Sequence, residues 1–267
     1  MKLPYQRYSE LSFSDVHDDI SSFHAKQQFA LFKQTKHRAQ LLLHLPLSDL
    51  QTFVGKEIEF WPGVPSEVSL PIPRRENGSL LRESSRLNLL DFPTLNFSVI
   101  AQFISDALTR TDDLTQPFRH RLYPSGGGLY PIEVFLCKTS DNVEGWPAGD
   151  PIFHLKANSR ELESMESRAS ALQIKESLSG FSDEIGSPQF ALVYCMYLDK
   201  VIFKYKYRGY RTAMMEVGSM YQLCDLYAKQ FGLKNRVWAG FYDGSVAHQI
   251  NINGSSVLPC VVQFFGQ

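Results

Sequence analysis

Apolar residues recur along the chain at two spacings, and the spacing sets the element. Phe97, Ile100, Ala101, Ile104 and Leu108 share one face of a 3.6-residue period, which predicts a helix starting behind Asn96 as its N-cap. The same period returns from Arg211 to Phe231. There Met214, Val217, Met220, Tyr221, Cys224, Tyr227 and Phe231 form a stripe, and Gly232 is placed to stop the helix with Leu233 packing back. Unbroken apolar runs predict buried strands at about 131–138, 189–198 and 257–265. Residues 201–208 alternate, with Val201, Phe203, Tyr205 and Tyr207 on one side and Ile202, Lys204, Lys206 and Arg208 on the other. That alternation predicts a strand with one cationic face. Strands interleaved with long helices give an α+β fold, a central sheet flanked by helices.

The first 75 residues read differently. Ser14 to Leu43 has helical stretches rich in Gln, Lys and His, Lys56 to Phe60 reads as a short strand, and Pro62, Pro65, Pro71 and Pro73 then punctuate the chain. The expected division is a smaller N-terminal part, 1–75, and a main domain, 76–267. The N-terminal helices carry few large apolar residues, so this part is expected to pack on the main domain or on a partner.

Composition narrows the function. With 27 basic and 28 acidic residues the net charge is −1, which gives no field for nucleic acid. The longest apolar stretch, Ala191 to Leu198, is too short to span a bilayer, and the N-terminus lacks a signal-peptide pattern, so a cytoplasmic protein is expected. The four cysteines are far apart, the seven histidines show no ligand spacing, and no metal is assigned. No nucleophile-elbow, Walker or dinucleotide-binding glycine pattern occurs.

The segment richest in chemistry is Pro124-Ser125-Gly126-Gly127-Gly128-Leu129-Tyr130-Pro131, set directly before a strand. Glycines tolerate φ > 0 and let bare backbone approach a flat ligand, while Ser125 adds a hydroxyl. A flavin ring suits such a loop; a plain turn before a strand is the alternative. Arg82-Glu83-Ser84-Ser85-Arg86 offers two guanidinium groups and hydroxyls that suit a phosphate, or a solvated loop. Arg236 is open between phosphate and surface. Lys204 and Tyr205 read alone as part of a cationic strand face.

Taken in order, Arg121 to Val134, Phe203 to Arg211, Glu216 to Gln222 and Gly232 to Gly240 resemble the azole-forming branch of the nitroreductase-like flavoproteins. The resemblance is strong over about 80–267 and looser before that. It implies an FMN-dependent dehydrogenase that oxidises peptide thiazolines and oxazolines to thiazoles and oxazoles, in ribosomally made peptides of the bacteriocin or microcin type. It also implies a homodimer with the flavin site built across it, a precursor peptide as substrate, and cyclodehydratase subunits as partners. Residue by residue, it places Arg82, Ser84 and Arg86 on the phosphate and Ser125, Gly126, Gly127 and Gly128 along the ring. It sets Ala239 and Gly240 near the reacting edge of the flavin, with Arg236 just upstream, and makes Lys204 and Tyr205 the catalytic pair. Gly128 stands where classical nitroreductases often carry asparagine. Two alternatives to this activity are a general NAD(P)H-dependent nitro or quinone reductase and a flavin-free scaffold subunit.

Overall fold

The computed structural model describes residues 13–27, 89, 94–109 and 120–266. Its helices are α1 (Ser14–Gln27), α2 (Phe97–Leu108), α3 (Ala171–Ser179), α4 (Leu198–Tyr205), α5 (Tyr207–Gln230) and α6 (Asp243–Gln249). Its longer strands are β1 (Ile132–Lys138), β2 (Ile152–Lys156), β3 (Glu161–Ser164), β4 (Phe190–Tyr197), β5 (Lys234–Trp238) and β6 (Val257–Gly266). These six strands form one sheet in the order β3-β2-β1-β4-β6-β5, with every neighbouring pair antiparallel.

β4 explains why the sheet is covered on both faces. All its residues are buried, so its sequence is apolar without a polar alternate. Successive side chains point to opposite faces. Phe190, Leu192, Tyr194 and Met196 join a core with α2, α4 and α5, whereas Ala191, Val193, Cys195 and Tyr197 join one with α3 and α6. On the first face Phe190 stacks on Phe265 at 4.7 Å between ring centroids, and Phe103 of α2 lies 5.2 Å from Phe265.

Several expected elements are present. Asn96 caps α2 by accepting from the Ser98 N–H at 2.8 Å. Gly232 (φ 68°) ends the last turn after α5, and the Leu233 N–H donates to Ala228 O at 2.9 Å as Leu233 folds back into the core. The buried line of α5 is Ala213, Val217, Met220, Cys224 and Ala228; Met214, expected in that stripe, is exposed. The strand expected over 201–208 is instead the end of α4 and the start of α5. Leu198, Val201 and Ile202 are spaced for a helix and are buried together, and this period outweighs the two-residue alternation that follows. Lys206, at φ 48°, breaks the helix and redirects the chain. Gly209 lets the two helices close: a Cβ there would overlap Val201 Cγ1 and lie 2.7 Å from the Val201 carbonyl oxygen.

α1 buries Val16 and Ile20 in the first core, and His24 Nδ1 lies 3.2 Å from the Tyr210 hydroxyl. Residues 1–28 and 82–267 belong to one compact unit, so α1 groups with the main domain. The expected boundary near residue 75, the strand at 56–60 and the proline-rich stretch lie outside the described residues, as do Arg82, Ser84 and Arg86. Among the described residues, no helix is long and apolar enough to cross a membrane, and no group of side chains could hold a metal ion.

Two polar devices tie the sheet together. Gln263 is fully buried in β6. It accepts from the Tyr194 hydroxyl at 2.8 Å and donates to Asn235 Oδ1 at 2.8 Å and Tyr221 O at 3.1 Å. Gln263→Leu removes three hydrogen bonds, although Tyr194 keeps Cys224 beside its hydroxyl and Asn235 is only half-buried; each lost bond contributes roughly 0.5–1.5 kcal/mol. The variant should lose about 2 kcal/mol of unfolding free energy in urea titration, and an unchanged midpoint would show that the pairings contribute nothing net.

The second device is His154 of β2, which lies between Glu133 of β1 (Nε2 to Oε2, 3.0 Å) and Glu163 of β3 (Nδ1 to Oε2, 3.4 Å). Burial lowers the histidine pKa, but the two carboxylates outweigh it and hold it above the ordinary 6.5. A raised folded-state pKa stabilises fully below 6.5, and the contribution is lost as pH rises through the folded value. The stability gap between the wild type and His154→Gln should therefore be widest in mildly acidic solution and close as pH rises. Parallel stability–pH curves for the two proteins would rule this out.

Candidate active site

Ser125 is extended, and Gly126–Gly128 then make a single 3₁₀ turn closed by Gly128 N–H to Ser125 O at 3.1 Å. Gly127 (φ 62°) and Gly128 (φ 67°) are both left-handed, which two successive side-chain-bearing residues would resist. The turn hands the chain to Tyr130, itself at φ 48°. That unfavourable conformation is held from several sides. Ser125 Oγ accepts from the Tyr130 N–H at 2.8 Å, and the Tyr130 carbonyl accepts from Lys200 Nζ at 2.8 Å. The Tyr130 hydroxyl accepts from the Arg121 N–H at 3.0 Å, and the Arg121 guanidinium lies 4.5 Å from the ring centroid.

Lys204 and Tyr205 close α4. In a regular strand the two would point to opposite faces, but at a helix end successive side chains are only about 100° apart. Both tips reach Gly127: a Cβ on that glycine would lie 2.6 Å from Lys204 Nζ and overlap the Tyr205 hydroxyl. Lys204 Nζ also lies 5.3 Å from the centroid of the Tyr205 ring. The structure thus brings the pair together on the turn, and Gly127 makes room for protein groups. Gly128 is different. Among the described residues, a Cβ there would meet no atom within 4 Å, so its side of the turn is open, bare backbone. A flat polar-edged group such as a flavin fits that open face.

Beneath the turn lies a buried polar cluster. Arg121 Nη1 donates to the Tyr123 hydroxyl at 2.6 Å, and Lys200 Nζ sits 3.6 Å from Glu133 Oε1. Desolvation pushes up the Glu133 carboxyl, yet His154, Lys200 and Arg121 hold it below its ordinary value. Glu216 of α5 is 2% exposed, and among the described residues no well-aligned hydrogen bond reaches either carboxyl oxygen, although the Ser125 hydroxyl is near enough to favour the ionised form by hydrogen bonding. Burial pushes its pKa up to about 7, against the pull of Ser125, Arg121 and Lys200. Sequence analysis gave Glu216 and Arg121 no individual role; an acid inside the buried line Ala213, Val217, Met220 was the available signal.

The other expected residues stand apart from the turn. Trp238 ends β5, the edge strand, which β6 and β4 separate from β1 by three strand spacings, about 14 Å. Arg236 Nη2 pairs with Glu184 Oε2 at 3.3 Å, Nη1 donates to the Glu184 carbonyl, and the guanidinium lies 5.3 Å from the Trp238 ring centroid. The Trp238 indole donates to Ser179 O at 3.1 Å. A Cβ on Gly180 would overlap the Gly240 carbonyl oxygen, so the Gly240 backbone is pressed against the end of α3, while Ala239 beside it is exposed.

Residues 81–266 match the family profile described as nitroreductase. The microcin B17-processing protein McbC of Escherichia coli is 41% identical over 247 residues, covering 92% of this chain and 89% of that protein. In the solved E. coli microcin synthetase McbBCD complex, with truncated pro-MccB17 bound, one chain matches at 39% identity and a TM-score of 0.84, over 100% of this chain and 98% of that one. A nitroreductase structure from Ralstonia eutropha shares the fold at 22% identity and a TM-score of 0.57, over 74% of this chain and 87% of its own. The sheet flanked by helices, the glycine turn and these matches agree: the chain belongs to the nitroreductase family, whose members generally bind FMN.

Proposed function

We propose that this protein is an FMN-dependent azoline dehydrogenase, oxidising thiazolines and oxazolines of a ribosomally made precursor peptide to thiazoles and oxazoles. The observation that carries this reading is the convergence of Lys204 and Tyr205 on Gly127, in a chain closely similar to a microcin-processing protein. Bound FMN supplies the two-electron acceptor that aromatisation needs.

The chain's own residues supply the rest. Lys204 takes the proton from the azoline ring carbon, and Tyr205, beside it, orients the ring or relays that proton. Arg82, Ser84 and Arg86 would hold the phosphate of FMN, and Ser125 with the Gly126–Gly128 backbone would support its ring. Ala239 and Gly240 offer a second surface free of bulky side chains. Arg236 has five N–H donors and retains some for phosphate beyond those given to Glu184. The turn and the edge strand are far apart in one protomer, which supports a homodimer in which each copy completes the other's site. Cyclodehydratase subunits installing the azolines are the proposed partners, docked by the N-terminal part, and the cytoplasm is the proposed compartment.

Mass spectrometry of a cyclised precursor tests the activity, since each azoline oxidised lowers its mass by about 2 Da. Lys204→Ala and Tyr205→Phe should retain FMN and slow this loss by roughly 10²–10⁴-fold, without adding in the double variant. Loss of flavin together with activity would make the pair part of the cofactor pocket instead. The two left-handed glycines should separate binding from chemistry. Gly127→Ala displaces the Lys204 and Tyr205 tips and should abolish oxidation with FMN retained. Gly128→Ala meets no protein atom and should instead lower FMN occupancy in the absorbance spectrum. The opposite pattern would place the flavin on the other side of the turn.

A further inference from the structure

Glu216 is a buried ionisable group that the reaction above leaves unused. It lies one helical turn beyond Thr212, whose side chain would be 3.3 Å from a Cβ on Gly126, so α5 packs on the glycine turn next to it. The groups whose charge or hydrogen bonding acts on its carboxyl are Arg121 and Tyr123, which precede the turn, Ser125 within it, Lys200 of α4 and Glu133 of β1. Two donors there can serve the carboxyl. Ser125 Oγ accepts from the Tyr130 N–H, which leaves its hydroxyl hydrogen to point at Glu216, and Arg121 Nε is buried without an acceptor among the described residues. A carboxylate can accept from both, whereas a carboxylic acid carries a hydrogen of its own to place. With its pKa pushed to about 7 by burial, Glu216 exchanges between the two forms near neutrality.

We propose that Glu216 is a positioning residue for Lys204 and Tyr205, acting through Ser125 and the glycine turn. Ionised, it takes the Ser125 hydroxyl and Arg121 Nε as donors and draws the turn onto α5. Protonated, it keeps one good accepting oxygen and must place a hydrogen of its own, so the charge-assisted hold on Ser125 is lost. Lys204 and Tyr205 rest on Gly127, so the pair is ordered in the ionised state and loosened in the neutral one. This rests on the assignment of Lys204 and Tyr205 as the reacting pair.

Amide hydrogen exchange at Gly128 and Leu129, whose N–H groups close the turn on Ser125 O and Gly126 O, tests it in the protein as purified. After correction for intrinsic exchange, protection in the wild type should rise about tenfold as pH passes through the ionisation of Glu216, the worth of one charge-assisted hydrogen bond. Glu216→Gln should hold the low-pH level throughout and lower kcat for azoline oxidation with KM unchanged. Ser125→Ala should also be flat, and it carries the same test if Glu216→Gln does not fold. The same pH-dependent protection in the wild type and either variant would overturn the proposal. Failure of the wild type to oxidise azolines would instead fell the functional reading, while the exchange data alone still decide whether Glu216 sets the turn.

Discussion

A missing methyl group at Gly127 is the constraint around which the site is built. Its place is taken by the ends of two side chains from α4, while the neighbouring Gly126 rests against Thr212 of α5. Three elements therefore meet at one glycine turn: the strand β1 that the turn feeds, and the two helices that pack on it. Packed interiors offer little room to shift, so a larger residue at this point must displace one of the three.

The turn does not hold itself. Tyr130 keeps a left-handed backbone only because Ser125, Lys200 and Arg121 bind its N–H, carbonyl and hydroxyl in turn. Those cations are themselves fixed by the polar cluster below, which runs through Glu133 to His154 and reaches the surface at Glu163. Local strain of order 1–3 kcal/mol is tolerable where so many charge-assisted contacts converge. The catalytic face and the sheet edge thus share one chain of interactions, and a buried charge anywhere along it bears on the geometry of the turn.

How much of this was legible depended on the range of the interaction. The helix over 97–108 with its Asn96 cap, the long helix of α5 and the three central strands follow from period and local capping, and they stand where the sequence places them. Residues 201–208 were ambiguous because eight residues fit both periods, and the apolar Leu198 just upstream tips the balance to a helix. That error mattered at the site, since a strand separates Lys204 from Tyr205 and a helix end joins them. The glycine turn was visible as a special backbone, but what each glycine faces was not. Gly127 faces protein and only Gly128 faces open space. Glu216 and Arg236 were visible as charges, yet their surroundings, Arg121 and Lys200 for one and Glu184 for the other, arrive from distant segments that no local pattern connects.

The contact of Gly209 with the Val201 backbone reaches beyond the two helices it joins. With no side chain between them, α4 and α5 lie at the closest approach their main chains permit, and the Lys206 break fixes the angle at which they meet. Sequence drift is then asymmetric along this hairpin. An exposed position such as Met215 is not bound by this packing, whereas position 209 admits a new side chain only if α4 retreats and carries Lys204 and Tyr205 away from the turn. A lineage that lost this glycine would have to rebuild the contact of Lys204 and Tyr205 with the turn by compensating changes elsewhere or give it up. The fold therefore ties the history of one residue with no side chain to that of the two residues proposed to carry the chemistry.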